Sequence, residues 1–244
     1  MAQEGKGARP PRQASQVPRG ARRAAWAVLG GVALWALGAG VALGDTVRLS
    51  RWSLPLRPGV SLDFDTSQLH GFADTYTSHI SILQVSSHEA RVEQVKFEWR
   101  MFEAKKNPNF DSTGWVTTTG FARGRTFNAW WVEGQDAITR DTHLWLSQEA
   151  CEELDSKGET RFALDLNVRG DTPLRLWVVG EGSFTVKVGG VARALEVWEL
   201  RSEKEDRLKV LRDCRNPLVV EGELPGIYTM RLRAVTLGDA EERP

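Results

Sequence analysis

The sequence has few of the residues that usually mark a catalytic or metal-binding protein. It contains two cysteines, four histidines and two tyrosines among 244 residues. Neither CxxC nor HxxxH spacing occurs, so the usual ligand patterns of a zinc site are missing. A GxSxG elbow is missing too, and the glycine-rich stretches lack the strand–loop–helix context of a phosphate-binding loop. We therefore name no catalytic residue and predict neither a cofactor nor a metal ion.

Long uncharged runs are also scarce, and the one that is present sets the topology. Residues 24–44 read AAWAVLGGVALWALGAGVALG, and a helix of these 21 residues is about 30 Å long, the thickness of a bilayer core. Residues 1–23 hold six basic residues and one acid, and their Pro, Gly, Ala, Arg and Gln content predicts a disordered tail. By the positive-inside rule, the tail stays in the cytoplasm and residues 45–244 lie outside it.

Cleavage of this run as a signal peptide is the alternative. Ala42-Leu43-Gly44 places small residues where a signal peptidase reads, so cleavage after Gly44 would give a secreted or periplasmic protein. The run is longer than a usual signal-peptide core, which favours an uncleaved anchor. If the span is kept, two small-xxx-small pairs in it allow a homodimer: Ala36/Gly40 and Gly38/Ala42.

The chain has no net charge, but the two sides of the predicted span differ. Residues 1–44 carry +5, whereas residues 45–244 hold 26 basic and 31 acidic residues and carry −5. A mildly acidic domain argues against nucleic acid as a partner.

Alternation of apolar and polar residues dominates residues 45–244 and predicts strands. The clearest runs are residues 95–101, 162–168, 174–178, 184–188 and 228–234. Gly189-Gly190 lies between two runs and predicts a tight hairpin turn. The pattern indicates a mainly β fold, an antiparallel β-sandwich or barrel-like extracytoplasmic domain with one short helix. A division into two subdomains near residues 168–173 remains open.

The predicted helix lies between Ser147 and Gly158. Ser147 is a good N-cap, acids follow in the early turns, and Gly158 suits a left-handed C-cap. Cys151 falls on the apolar stripe and should face the sheet. Residues 115–119 are mostly β-branched and residues 121–132 hold several aromatics, so we predict further strands there.

The two cysteines, Cys151 and Cys214, allow one disulfide in a compartment outside the cytoplasm. A bridge that closes a loop of this size contributes roughly 3–5 kcal/mol to stability. Their spacing leaves open whether they meet.

Tryptophan is the one residue in clear excess, with ten in the chain and eight beyond the span. Two fall on the polar phase of their strands, and two others are adjacent, so that one of the adjacent pair must face away from the core. Exposed tryptophans on a sheet stack on sugar rings or bury in a partner protein, although packing under a loop or a second sheet is the alternative. The candidate ligand-binding residues are Trp130, Trp131, Trp177 and Trp198.

One tripeptide suggests a competing function. Asp65-Thr66-Ser67 resembles the Asp-Thr-Gly/Ser turn of aspartic proteases, whose chemistry needs a second carboxylate that shares a proton. A second chain of an anchored dimer would supply it. Gln68 stands where such families carry a small residue, and the same three residues also favour an ordinary capped turn.

The histidines give no further support for catalysis, since no nucleophile and orienting acid accompany them in a recognisable motif. We interpret them as surface or turn residues. The sequence thus favours a non-catalytic, single-pass membrane-anchored envelope protein whose β-domain binds a protein partner or a cell-wall glycan. The alternatives are a hydrolase that uses Asp65 and a purely structural envelope spacer.

Overall fold

The computed structural model describes residues 52–68, 75–89, 91–103, 110–127, 134–138, 141–164 and 172–238. The predicted tail, the predicted span and the pair Trp130 and Trp131 lie outside these described residues. Within them, no helix is long and apolar enough to cross a membrane. Residues Val47–Pro244 belong to one compact unit.

The described residues form twelve strands and two helices, which confirms the mainly β prediction. The first six strands are β1 (Val60–Gln68), β2 (Thr75–His88), β3 (Arg91–Glu103), β4 (Phe110–Val116), β5 (Thr126–Phe127) and β6 (Gly134–Ile138). The other six are β7 (Glu159–Leu164), β8 (Leu174–Val188), β9 (Val191–Ser202), β10 (Arg207–Leu211), β11 (Val219–Leu224) and β12 (Tyr228–Leu237). The helices are α1 (Thr118–Arg123) and α2 (Gln148–Lys157).

All twelve strands belong to one sheet with the order β5-β7-β8-β9-β10-β11-β12-β1-β2-β3-β4-β6. Most neighbours are antiparallel, as predicted, but β4–β6, β5–β7 and β8–β12 are parallel. The strands on either side of the segment where a subdomain boundary remained open, β7 and β8, pair with each other. Residues 165–171 of that segment lie outside the described residues.

Part of the sheet closes on itself. One edge of β12 pairs first with β11, through Tyr228 to Arg231, and then with the end of β8, through Ala234 and Val235. The backbone N–H of Gly189 also donates to the carbonyl of Val235 at 3.0 Å. Strands β8 to β12 therefore form a closed ring of five, and β1 extends the sheet from the other edge of β12.

The alternating pattern places one face of this sheet in the core. Phe97 and Trp99 of β3 are each 1% exposed, and Ile80 of the neighbouring β2 is fully buried. Trp145 is fully buried and donates its indole N–H to Asn216 Oδ1 at 2.9 Å. Each buried large apolar side chain contributes about 1.5–3 kcal/mol, so this face supplies most of the driving force for folding.

Helix α2 begins and ends where its caps predict. Ser147 Oγ accepts from the backbone N–H of Ala150 at 3.2 Å, and Gly158 adopts the left-handed conformation with φ 72°. Cys151 is fully buried on the apolar side of the helix, as predicted. It forms a disulfide with Cys214, and the two Cα atoms are 5.4 Å apart.

The prediction of a single helix and of strands across residues 115–132 was wrong in part. The described residues include the short helix α1, which Thr117 caps by accepting from the backbone N–H of Gly120 at 3.3 Å. Phe121 of α1 is fully buried, with its ring 6.2 Å from that of Trp145. Packing of one aromatic side chain has overridden the β preference of the threonine run.

The proposed turn at Asp65-Thr66-Ser67 was also wrong, because these residues lie inside β1. They pair with β12 on one edge and with β2 on the other. Thr66 is 5% exposed on the core face, in the phase of Leu62 and Phe64. The backbone hydrogen bonds of two neighbouring strands outweigh the turn preference of three small polar residues.

Candidate ligand-binding cleft

The polar face of β9, β10, β11, β12 and β1 forms a cleft of about 790 Å³. The same strands also carry the buried side chains Leu200, Leu208 and Met230, which face the core beneath the floor of the cleft. The charged side chains that line it are Asp65, Glu199, Arg201, Arg207, Lys209, Glu221, Glu223 and Arg231. Four acids and four bases therefore share one concave surface.

The charges are arranged by the strand register. Directly paired positions across five strands read Glu199, Lys209, Glu221, Arg231 and Asp65, so the sign alternates at every step. Opposite charges at directly paired positions each stabilise a sheet by about 0.2–1 kcal/mol. This first row is a charge ladder that the fold itself favours.

Glu221 is the centre of the ladder. Its carboxylate lies 2.7 Å from Lys209 Nζ on β10 and also accepts from the guanidinium of Arg231 on β12. The Glu221 side chain is 25% exposed, so these contacts are partly shielded from water. Its oxygens are engaged on both sides, and a ligand would meet the outer residues of the ladder more readily.

Glu199 lies at one end of the ladder, beside two glycines of β8. A Cβ added at Gly182 would be 3.1 Å from Glu199 Oε1, and one at Gly180 would be 3.7 Å from Oε2. The missing side chains thus leave room for the carboxylate to lie over β8. No ion pair to Glu199 occurs among the residues that the structure describes, so it can accept hydrogen bonds from a ligand.

A second row of paired positions runs beside the ladder. In order across the strands, it contains Arg201, Arg207, Glu223, Thr229 and Ser67. The hydroxyls of Thr229 and Ser67 are 2.6 Å apart. One end of this row is therefore cationic and the other end offers neutral hydroxyl groups.

A bulge in β8 shapes the rim of the cleft. The register shifts between Val178 and Gly180, which turns Val179 outward at 52% exposure among the lining residues. Apolar surface is otherwise scarce among the exposed side chains of the cleft.

The structure separates the two candidate tryptophans that it describes. Trp177 is half-buried, with the guanidinium of Arg175 at 5.7 Å from its ring centroid. Trp198 is only 4% exposed. Neither residue lines the cleft, and Trp130 and Trp131 lie outside the described residues.

Trp198 was expected on a polar phase, and its burial has a local cause. Val197 is buried as well, so both faces of β9 are covered where these neighbours lie. Arg212 covers the Trp198 ring at 5.7 Å and pairs with Glu181, which is the cross-strand neighbour of Trp198. The change of buried face along β9 cannot be read from its alternation.

Sequence reasoning missed Trp115, which lies on the polar face of β4. It is half-buried and lines a depression of about 250 Å³ together with Gln84, Ser86, Gln94 and Lys96. An aromatic ring beside amide and ammonium groups is a suitable surface for a sugar ring, which combines stacking with hydrogen bonds. Trp115 lies directly opposite Lys96 on β3, a pairing that the sequence alone does not show.

Asp65 does not have the surroundings of an aspartic-protease carboxylate in the described residues. It lines the cleft, and Arg233 Nη1 lies 3.6 Å from its Oδ1. A protease dyad requires a second carboxylate that shares a proton with the first, whereas the charged neighbour of Asp65 here is an arginine. No group of three or more potential metal ligands occurs within the described residues.

The predicted surface histidine His79 has partners. Its Nδ1 lies 2.5 Å from Asp63 Oδ1, and its Nε2 lies 3.2 Å from Ser81 Oγ. The hydrogen-bond chain Ser81–His79–Asp63 has the order of a nucleophile, a base and an orienting acid. At this point, however, β2 pairs with β1 on one edge and with β3 on the other. Backbone N–H groups engaged in two ladders do not form an oxyanion hole, so the geometry supports a surface hydrogen-bond chain.

A well-defined electrostatic effect lies away from the cleft, at Arg125 and Glu153. Arg125 donates to both carboxylate oxygens of Glu153 on α2, at 2.7 and 3.3 Å. The hydrogen bonds from Arg125 lower the pKa of Glu153 to about 2. Burial of the carboxylate opposes this shift, and a further hydrogen bond from Thr160 adds to it. The pair ties the connection between α1 and β5 to α2 and stabilises the fold.

No protein-family model matches the chain, and no curated protein matches it. Among solved structures, a protein assigned as a lipoprotein from Parabacteroides distasonis ATCC 8503 is similar over 74% of this chain and 96% of its own, with 10% identity and a TM-score of 0.33. A protein assigned as exported, with a YmcC-like fold, from Bacteroides fragilis NCTC 9343 is similar over 74% of this chain and 97% of its own, with 8% identity and a TM-score of 0.27. Likeness at this level assigns neither a family nor an activity.

Proposed function

We propose that this chain is a non-catalytic, single-pass membrane-anchored envelope protein whose extracytoplasmic β-domain binds a cell-wall glycan. The cleft carries the proposal. Its exposed walls consist of carboxylates, guanidinium groups, an ammonium group and hydroxyls, which are the groups that hydrogen-bond sugar hydroxyls.

A glycan fits these walls better than a protein partner does. Protein interfaces are anchored by buried aromatic or large aliphatic side chains, with charged residues depleted at the centre. Among the residues that the structure describes, the lining of the cleft includes no aromatic residue, and its exposed apolar side chain is Val179 at the rim. Trp115, three strands from β1 on the polar face of the same sheet, would add a separate stacking surface for a sugar ring.

Two features support an extracytoplasmic domain. The uncharged run at residues 24–44 follows a basic tail, which directs residues 45–244 out of the cytoplasm. The disulfide Cys151–Cys214 suits an oxidising compartment. Protease added to intact spheroplasts should degrade the domain. In untreated cells, the chain in the membrane fraction should keep its original N-terminus. A mature chain that begins at Asp45 would show instead that residues 24–44 are a cleaved signal peptide.

Glycan binding is tested with the full chain in detergent micelles. The chain is mixed with insoluble peptidoglycan sacculi, and the bound fraction is measured after sedimentation. We expect saturable binding that soluble glycan strands displace. Equal sedimentation of the chain with and without sacculi would contradict the proposal.

A further inference from the structure

Two arginines face each other at one end of the cleft. Arg201 on β9 and Arg207 on β10 are directly paired in the antiparallel register. Side chains at such positions have their Cβ atoms about 4.5–5.5 Å apart, and like charges there are destabilising. Both residues line the cleft. The sheet therefore places two arginines at directly paired positions, where their like charges repel each other.

Their acidic neighbours compensate for this repulsion only weakly. Arg201 Nη1 is 3.8 Å from Glu205, and Arg207 Nη1 is 3.7 Å from Glu223. Exposed ion pairs of this length contribute little, in contrast to the 2.7 Å contact between Lys209 and Glu221 in the ladder. Because the contacts of the two arginines with these carboxylates are long and weak, a ligand can replace them.

One donor of this pair is buried without a partner. Nε of Arg201 is inaccessible to solvent and has no hydrogen-bond acceptor among the described residues. A buried donor left unsatisfied costs about 1–3 kcal/mol, and more when the group is charged. Since Nε itself is covered, an anion meets the terminal guanidinium nitrogens of Arg201, whose side chain is 42% exposed, and it relieves this penalty only when the side chain turns Nε toward it.

The hairpin that carries the pair is held in one conformation. Ser202 donates its hydroxyl to Asp206, which is fully buried, and accepts from the backbone N–H of Lys204 at 3.0 Å. The backbone N–H of Ser202 also donates to the carbonyl of Asp206 at 3.0 Å. The two arginines flank this locked turn, so their backbones are positioned before any ligand arrives.

We infer that Arg201 and Arg207 form a subsite for an oxyanion group of the glycan, either a sugar carboxylate or a phosphate. Planar guanidinium groups bind such oxygens through paired N–H donors, and two of them offset the charge of one anion. The anion replaces the long contacts to Glu205 and Glu223. This inference rests on the proposed function for the source of the anion, but the subsite itself is defined by the two arginines.

The subsite is tested by titrating the full chain, labelled with ¹⁵N-arginine in detergent micelles. Sodium glucuronate and inorganic phosphate are the two probes, and sodium chloride at matched ionic strength is the reference. We expect saturable shifts of the Arg201 and Arg207 Nε–Hε resonances, assigned by their loss in the variants. The tighter-binding probe then shows whether the group is a carboxylate or a phosphate.

The variants separate a specific subsite from general attraction to positive charge. Arg207, whose side chain is 63% exposed, is replaced in Arg207→Gln, and binding of the preferred anion should weaken about tenfold. Arg201→Lys keeps the charge and loses the planar fork, so it should also weaken binding while its melting temperature shows that the domain is folded. Arg193→Gln, which removes an exposed charge from β9 outside the cleft, should leave binding unchanged.

The outcomes distinguish the subsite from the glycan proposal. If neither probe gives saturable shifts, or if Arg193→Gln weakens binding as much as Arg207→Gln, the subsite is wrong, even if sacculi still bind. If the anions bind at the two arginines but sacculi do not sediment the wild-type chain, the subsite stands and the glycan proposal is wrong.

Discussion

The disulfide between Cys151 and Cys214 ties helix α2 to the connection between β10 and β11, with 63 residues of sequence separation between its ends. It joins an element packed on β7 to two strands of the cleft. Cys151 is fully buried, and Cys214 is partly buried and packs against the core. The bridge thus supports the strands that carry the candidate site.

Removing this bridge should lower the stability of the domain. The chain-entropy relation gives about 4 kcal/mol for a loop of this length, an upper value because the denatured chain retains some structure. The double variant Cys151→Ala/Cys214→Ala and the reduced wild-type chain should therefore unfold at similarly reduced urea concentrations. Identical unfolding midpoints for the oxidised and reduced wild-type chain would contradict this role.

Acid should remove the stabilisation supplied by Arg125 and Glu153. The pKa of Glu153 is about 2 in the folded chain and 4.5 in the reference state, so the carboxylate stabilises the fold fully above pH 4.5. This contribution declines as the pH falls toward 2. Because both side chains are partly exposed, we expect it to be about 1–2 kcal/mol at neutral pH.

The measurement compares urea unfolding of wild type and Glu153→Gln at pH 6 and pH 3. Their difference in unfolding free energy should shrink by about half or more at pH 3. Asp155→Asn, an exposed position on the same helix, serves as the control. A difference that stays constant between the two pH values would show that the carboxylate charge is not the cause.

Trp198 and Trp177 should respond differently to truncation. Trp198→Ala removes a side chain that is 4% exposed, and a change of this kind costs about 3–5 kcal/mol. Trp177 is half-buried, so Trp177→Ala should cost less and leave a folded domain. Thermal melts of the two variants provide the comparison. If both variants unfold, Trp177 is a core residue and its candidate binding role is lost.

Trp115 should affect binding more than stability. Trp115→Ala removes the stacking surface of the depression near Gln84 and Gln94, and we expect sacculus binding to weaken about fivefold, with a melting temperature close to wild type. Trp115→Phe keeps an aromatic face and is the matched control, which should bind nearly as well as wild type. Unchanged binding by Trp115→Ala would remove this residue from the proposed site.

The features that follow local rules were predictable. The caps Ser147 and Gly158 define α2, and the pair Gly189-Gly190 forms the turn between β8 and β9 with φ values of 55° and 84°. The strand containing Phe97 and Trp99 also follows directly from period-two alternation. In each case the relevant interactions occur within a few residues of sequence.

The cleft was not predictable, because it depends on pairing between distant strands. Asp65 and Arg231 are neighbours only because β1 pairs with β12. The charges of residues 199–231 look like solvated surface in the sequence, and the register alone shows that their signs alternate across the sheet. Burial of Trp198 depends likewise on a change of covered face within β9.

The most direct test of the proposed function measures the affinity of the full chain for soluble peptidoglycan glycan strands in a fluorescence anisotropy titration. Glu199→Gln keeps the shape of the side chain and removes one carboxylate from the cleft. Glu199 forms no ion pair among the described residues, so the substitution breaks none. Glu89→Gln, at the turn between β2 and β3, removes the same charge elsewhere. We predict that Glu199→Gln weakens binding about tenfold and that Glu89→Gln has no effect. Equal affinity of wild type and Glu199→Gln, or no saturable binding by wild type, would contradict glycan binding in the cleft.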